Sequence, residues 1–137
     1  MNAYSSPTAI TELLTTELVF ISGDVPQLDQ LIASLGPRYE VHVLDPAGDG
    51  LAQIAELLQG RTGIDALHLF GHGREGAFRL GSSMLELASL DGRQHLLGLI
   101  GQSMSADGDI LVYGCDVGAG AGGQSLLDRL ALLTGAD

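Results

Sequence analysis

Residues 67–78 read LHLFGHGREGAF, an apolar run that breaks into glycines with His72 held between Gly71 and Gly73. Gly71, Gly73 and Gly76 fit G-x-G-x-x-G, the spacing of a dinucleotide-binding turn. Such a turn needs a helix after it, because the helix N-terminus holds the pyrophosphate. The next stretch, AFRLGSSMLEL (77–87), has strand character on both sides of Gly81-Ser82 and is predicted to be a β-hairpin. The glycines therefore do not suit a nucleotide, and His72 stands at the end of a strand, IDALHLF (64–70).

Outward from that strand, helix and strand patterns alternate. ELVFIS (17–22), YEVHVLD (39–45) and GDILVYG (108–114) read as further strands. Helices are predicted over GDVPQLDQLIASLG (23–36), GDGLAQIAELLQG (48–60), residues 88–104 and GQSLLDRLALLTG (123–135), from apolar residues recurring on one face. Asp24 with Gln27 reads as a capping box for the first of these, with Pro26 in its first turn. Four alternations predict an α/β fold with three layers, α/β/α, and a mostly parallel sheet of order 2-1-3-4, the hairpin inserted after strand 3. Residues 1–16 form a polar N-terminal segment and 17–137 a single domain. The chain stops at LTGAD, where such a fold adds a fifth strand, so a fragment of a larger protein is expected.

Composition narrows the partners. The chain has 137 residues, a formal net charge of −11 and six basic residues, all arginine. Phosphate backbones and anionic membrane surfaces are repelled by such a chain. No apolar stretch approaches the ~20 residues of a membrane span, and no basic-then-apolar secretory signal opens the sequence. Cys115 is the single cysteine, so no internal disulfide forms.

Cys115 follows Gly114 at the end of the fourth strand, as His72 follows Gly71 at the end of the third. Open α/β sheets place their sites at the carboxyl ends of strands, and neighbouring strands lie ~4.8 Å apart. An imidazole and the N-terminus of the last helix both lower a thiol pKa. The pair suits a nucleophile, Cys115, and a general acid/base, His72, with the backbone N–H groups of Gly73 and Cys115 as oxyanion donors. Gly71 and Gly114 are expected to give a substrate backbone room to approach. A zinc set of His68, His72 and Cys115 lacks the usual tight ligand cluster, so neither metal nor cofactor is expected. A second G-x-G-x-x-G, Gly118, Gly120 and Gly123, has strand before and helix after but no following strand; a close-packed turn is the simpler expectation. His68 is expected to pack against a helix, and Arg74 and Arg79 to be solvated or to serve the site.

A strand ending in His-Gly, a hairpin, a helix and a strand ending in Gly-Cys resembles the caspase-like cysteine peptidases, the clan of caspases, gingipains, legumain, separase and clostripain. In that clan the histidine precedes the cysteine by ~50 residues; His72 precedes Cys115 by 43. By this resemblance His72 is the general acid/base, Cys115 the nucleophile and Gly73 an oxyanion donor. Residues 17–137 also resemble a domain of unknown function near the N-termini of giant bacterial repeat adhesins, through ELVFI, the run from Val43 to Gly81 and MSADGDILVYGCDVGAGAGGQSLLDRLALLTGAD. That resemblance implies an extracellular or cell-surface protein exported by a C-terminal signal. Asp116 departs from it, since asparagine is expected after the cysteine, and a carboxylate there raises the thiol pKa. The expected function is a cysteine endopeptidase-type domain acting on a protein or peptide, its own parent chain included. The alternative is a non-catalytic folding or interaction module.

Overall fold

Every residue of ELVFIS from Leu18 to Ser22 is buried, because this strand is central. It is β1 (Glu17–Ser22), flanked on one side by β2 (Glu40–Leu44) and on the other by β3 (Ile64–Phe70), with β7 (Met104–Tyr113) beyond β3. All three pairings are parallel, giving the expected order 2-1-3-4. A strand covered on both faces reads as a continuous apolar run, which is why no alternation marks it. A computed structural model describes residues 16–114 and 120–135.

Between these strands lie α1 (Leu28–Leu35), α2 (Gly50–Leu58), a three-stranded antiparallel sheet of β4 (His72–Arg74), β5 (Ala77–Leu80) and β6 (Ser83–Glu86), then α3 (Leu87–Leu90), a 3-10 turn (Asp91–Arg93) and α4 (Gln94–Gln102); α5 (Gly120–Thr134) follows β7. The chain steps from β1 out to β2 and back past β1 to β3. Right-handed crossovers then place α1 and α2 on opposite faces of the sheet. On the α2 face Leu18, Phe20, Leu67 and Leu69 meet Leu51, Ile54 and Leu58 of α2, Leu97 and Ile100 of α4 and Leu126 of α5, forming the main core. Asp49 starts α2 by accepting from the N–H groups of Leu51 and Ala52 at 3.0 and 3.2 Å.

Four local expectations are corrected. The helix predicted over 88–104 breaks into α3, the 3-10 turn at Gly92 and α4. The fourth strand begins at Met104, four residues early, because Met104 pairs with Ile64 and a bulge takes up the extra residues before Asp109 meets Ala66. The hairpin gains a third strand, β4, which begins at His72 itself. Asp24 caps nothing: α1 starts at Leu28 behind Gln27, which holds φ 58° and makes no side-chain cap.

Between the sheet and helices α2, α4 and α5 lies an aliphatic cleft of about 260 Å³. Its inner lining, including Leu67, Leu97 and Ile100, is buried, whereas Ile110 and Val112 of β7 and Leu127 and Leu130 of α5 are half-exposed. The cleft therefore opens between β7 and α5.

The glycines of the opening motif have a structural use. A Cβ on Gly71 would sit 2.2 Å from the Arg79 carbonyl oxygen, and one on Gly114 would sit 3.1 Å from both the Gly73 nitrogen and the Phe78 ring. The space beside these two glycines in the Cβ direction is thus taken up by the chain's own β4 and β5. Gly71→Ala is expected to destabilise the domain by about 1–3 kcal/mol, the usual cost of overpacking. Gly114→Ala, with its softer contacts, should cost less. Urea midpoints of the two variants check the ranking.

Candidate active site

Four strand ends are tied in pairs along one end of the sheet. The Gly71 N–H donates to the Tyr113 carbonyl at 3.1 Å, tying the end of β3 to the end of β7. The Gly23 N–H donates to the Leu44 carbonyl at 2.9 Å, tying the turn after β1 to the end of β2. His72 starts β4 in this corner, half-buried, directly opposite Arg79 of β5. Directly opposite residues share a face of an antiparallel pair, so both side chains reach the same neighbour.

That neighbour is Asp24. Its Oδ1 lies 2.9 Å from His72 Nε2 and accepts from the Ser22 hydroxyl at 2.8 Å; its Oδ2 lies 3.1 Å from Arg79 Nη1. The same Nη1 donates to the Gly81 carbonyl at 2.8 Å. Ser22 is fully buried, and its hydroxyl oxygen also accepts from the Gly81 N–H at 3.1 Å. Desolvation pushes the Asp24 carboxyl up. Hydrogen bonds from Ser22, His72 and Arg79, with the charge of His72, outweigh it and hold the pKa at about 2. Asp24 is thus ionised across the physiological range.

An ionised carboxylate can only accept, so Nε2 of His72 carries the proton of this bond. In the neutral ring Nδ1 is then a lone-pair acceptor, the form a general base requires. Asp24 thus fixes the ring's tautomer and orientation, as a carboxylate does in hydrolytic triads.

Of the residues singled out in the sequence, His72, Gly71, Gly73 and Gly114 come together here. Cys115 and Asp116 lie outside the described residues, one and two peptide bonds beyond Gly114; Gly118 of the second glycine motif lies outside them as well. Arg74 turns to Glu86 at 3.4 Å and is mostly exposed. Arg79 is half-buried against Asp24 and so serves the site. Asp24 escaped notice because Asp-x-x-Gln before an apolar period is a cap signature; its place at the carboxyl end of the neighbouring strand was the available signal.

His68 does not join His72. It does not simply pack against a helix either: its Nδ1 lies 2.9 Å from the Tyr113 hydroxyl and its Nε2 2.8 Å from Glu17 Oε1. Tyr113 stacks on Phe70 with ring centroids 4.2 Å apart. Burial first, and then the Tyr39 and Glu17 charges, raise the Tyr113 pKa. Among the described residues no group of three or more His, Cys, Asp or Glu side chains is placed to hold a metal ion. No helix among them is long and apolar enough to cross a membrane.

A family model described as "Domain of unknown function (DUF4347)" matches residues 18–137. The chain belongs to this family. The match begins at the second residue of β1 and takes in both His72 and Cys115, so the corner built by Asp24, His72 and Gly114 is part of the DUF4347 domain. Comparison with curated proteins and with solved structures gives no match.

The carboxylates of the DUF4347 domain set its response to acid. Asp24 falls from 3.8 to about 2. Hydrogen bonds from Arg61 and then His42 take Glu40 from 4.5 to about 2 against desolvation. Asp49 is also lowered: hydrogen bonds from Arg93, Ser83 and the Ala52 N–H overcome its desolvation. A depressed folded pKa contributes stability that is complete above the unfolded value and is lost as pH falls through the folded one. Urea midpoints should therefore be flat above about pH 5 with respect to these groups and fall between about 4.5 and 2. Asp24→Asn should shrink the loss in the lower part of that window.

Proposed function

We propose that this domain is a cysteine endopeptidase of the caspase-like kind, with Cys115 as nucleophile, His72 as general acid/base and Asp24 as the residue that orients His72. The Asp24–His72 pair carries the proposal: an anionic partner on Nε2 leaves Nδ1 to exchange a proton, in a corner where Gly114, the residue before the only cysteine, lies against Gly73. The parallel 2-1-3-4 order, with histidine and cysteine after adjacent strands, supports it further.

In the proposed reaction His72 Nδ1 takes the Cys115 thiol proton, and the thiolate attacks the scissile carbonyl carbon. The Gly73 and Cys115 N–H groups are the proposed donors to the resulting oxyanion. On collapse the C–N bond breaks and His72 returns its proton to the leaving amine. Water then hydrolyses the thioester, with His72 acting again as base. The substrate is a protein or peptide, the parent chain included, and the expected setting is a bacterial cell surface. A second proposal, a non-catalytic module that keeps the fold, draws on Asp116, whose carboxylate beside Cys115 opposes thiolate formation.

Alkylation of Cys115 by iodoacetamide across pH separates the two. A catalytic pair gives a midpoint well below the ~8.5 of a free thiol. It rises toward that value in His72→Ala and part of the way in Asp24→Asn. Hydrolysis of labelled casein should disappear in Cys115→Ala and fall at least about tenfold in Asp24→Asn. A midpoint near 8.5 that His72→Ala leaves unchanged, with no hydrolysis, would select the non-catalytic module.

A further inference from the structure

Asp24 is held by more than the histidine it orients. Its Oδ1 accepts from the Ser22 hydroxyl as well as from His72, and its Oδ2 faces Arg79 Nη1 at 3.1 Å. The same Nη1 donates to the Gly81 carbonyl at 2.8 Å, and the Gly81 N–H donates to the Ser22 hydroxyl oxygen at 3.1 Å. Asp24, Ser22, Gly81 and Arg79 therefore form a closed ring of contacts, which His72 joins at Oδ1. Gly81 is a firm member of the ring. The N–H of Ser82 beside it donates to the Gly48 carbonyl at 2.8 Å, and a Cβ on Gly81 would lie 2.2 Å from that same oxygen.

We propose that Arg79 is a positioning residue: by holding Oδ2 beside the Gly81 carbonyl it fixes the plane of the Asp24 carboxylate and keeps Oδ1 aimed at His72 Nε2. This role rests on the reading of His72 as general acid/base and deepens it. A carboxylate held at one oxygen turns easily, because its last torsion is broad and soft. Asp24 stands in a turn with 37% of its side chain exposed, so packing alone does not stop that rotation. A donor on each oxygen does.

The strand register supports the same role. Arg79 lies directly across from His72 in the β4–β5 pair, so the clamp and the histidine are carried by one small sheet. A shift of that sheet on the end of β1 moves both together. Arginine suits the position because one planar guanidinium bridges a carboxylate oxygen and a backbone carbonyl, whereas an ammonium on a flexible stem holds such a pair less firmly. Among the described residues, the cationic groups that reach Asp24 are this guanidinium and His72 itself.

The test is a double-mutant cycle of Arg79→Gln with Asp24→Asn in the full chain. Arg79→Lys serves as the conservative variant. Arg79→Met, which keeps the aliphatic stem, is read beside Arg79→Gln so that one variant failing to fold does not decide the result. Nitrogen-15 NMR follows exchange of the His72 Nε2 proton with water, and hydrolysis of labelled casein gives kcat and KM. Arg79→Gln should speed the exchange at least about threefold and lower kcat by a similar factor with KM nearly unchanged. Arg79→Lys should restore most of both. The Asp24 carboxyl, held at about 2 in part by Arg79, should titrate higher in Arg79→Gln. With Asp24→Asn in place, Arg79→Gln should change neither exchange nor kcat further. Faster exchange in a chain that hydrolyses nothing would uphold the clamp and count against the peptidase reading alone. Unchanged exchange in both Arg79→Gln and Arg79→Met would overturn the clamp, as would equal losses with and without the Asp24 carboxylate.

Discussion

The fully buried hydroxyl of Ser22 joins two sheets that otherwise have separate hydrogen-bond ladders. It donates to Asp24 on its own turn and accepts from the Gly81 N–H at the β5–β6 turn. A buried hydroxyl must be satisfied, and here both of its partners are ones the site depends on. Asp24, steadied from below, spans to His72 and Arg79, which sit opposite each other on the small sheet. The orientation of the candidate base thus follows from how the hairpin seats on the end of β1. Replacing Ser22 by an apolar residue would leave the Gly81 N–H buried without this acceptor and Asp24 without one of its three donors.

Much of this was legible in the sequence because apolar runs mark the strands, the central β1 being buried on both faces. Apolar runs of five to seven residues bounded by glycine and proline admit few other structures, so the sheet and its order follow from the alternation of elements. Long-range choices were less legible. Asp24 and Gln27 have the spacing of a cap, but a carboxylate takes whichever donors the tertiary fold offers, and His72 lies 48 residues away. Residues 88–104 carry a helical apolar period, and Leu90, Leu97 and Ile100 all reach one core, yet the chain passes through the 3-10 turn Asp91–Arg93 between α3 and α4. The early start of β7 depends on its pairing with Ile64, which no local pattern records.

The same holds within the site. His72 stood out because glycines isolate it after an apolar run, and Gly73 and Gly114 followed from their neighbours. The glycines also have a reason no local pattern records: strand β5 passes so close to Gly71 that a Cβ there would meet the Arg79 carbonyl. Arg79 carries no motif at all. Its role as second partner of Asp24 arises only from cross-strand pairing with His72.

Tyr113 gives the molecule an optical consequence. The chain has no tryptophan and three tyrosines, so its near-ultraviolet signal is sparse. One of the three lies flat on Phe70, bonded to His68, immediately before the Gly114–Cys115 step. Its raised pKa keeps the phenol protonated further into alkaline solution than a free tyrosine. The strand end before the cysteine thus carries its own unlabelled ultraviolet chromophore, one of three tyrosines in a chain without tryptophan.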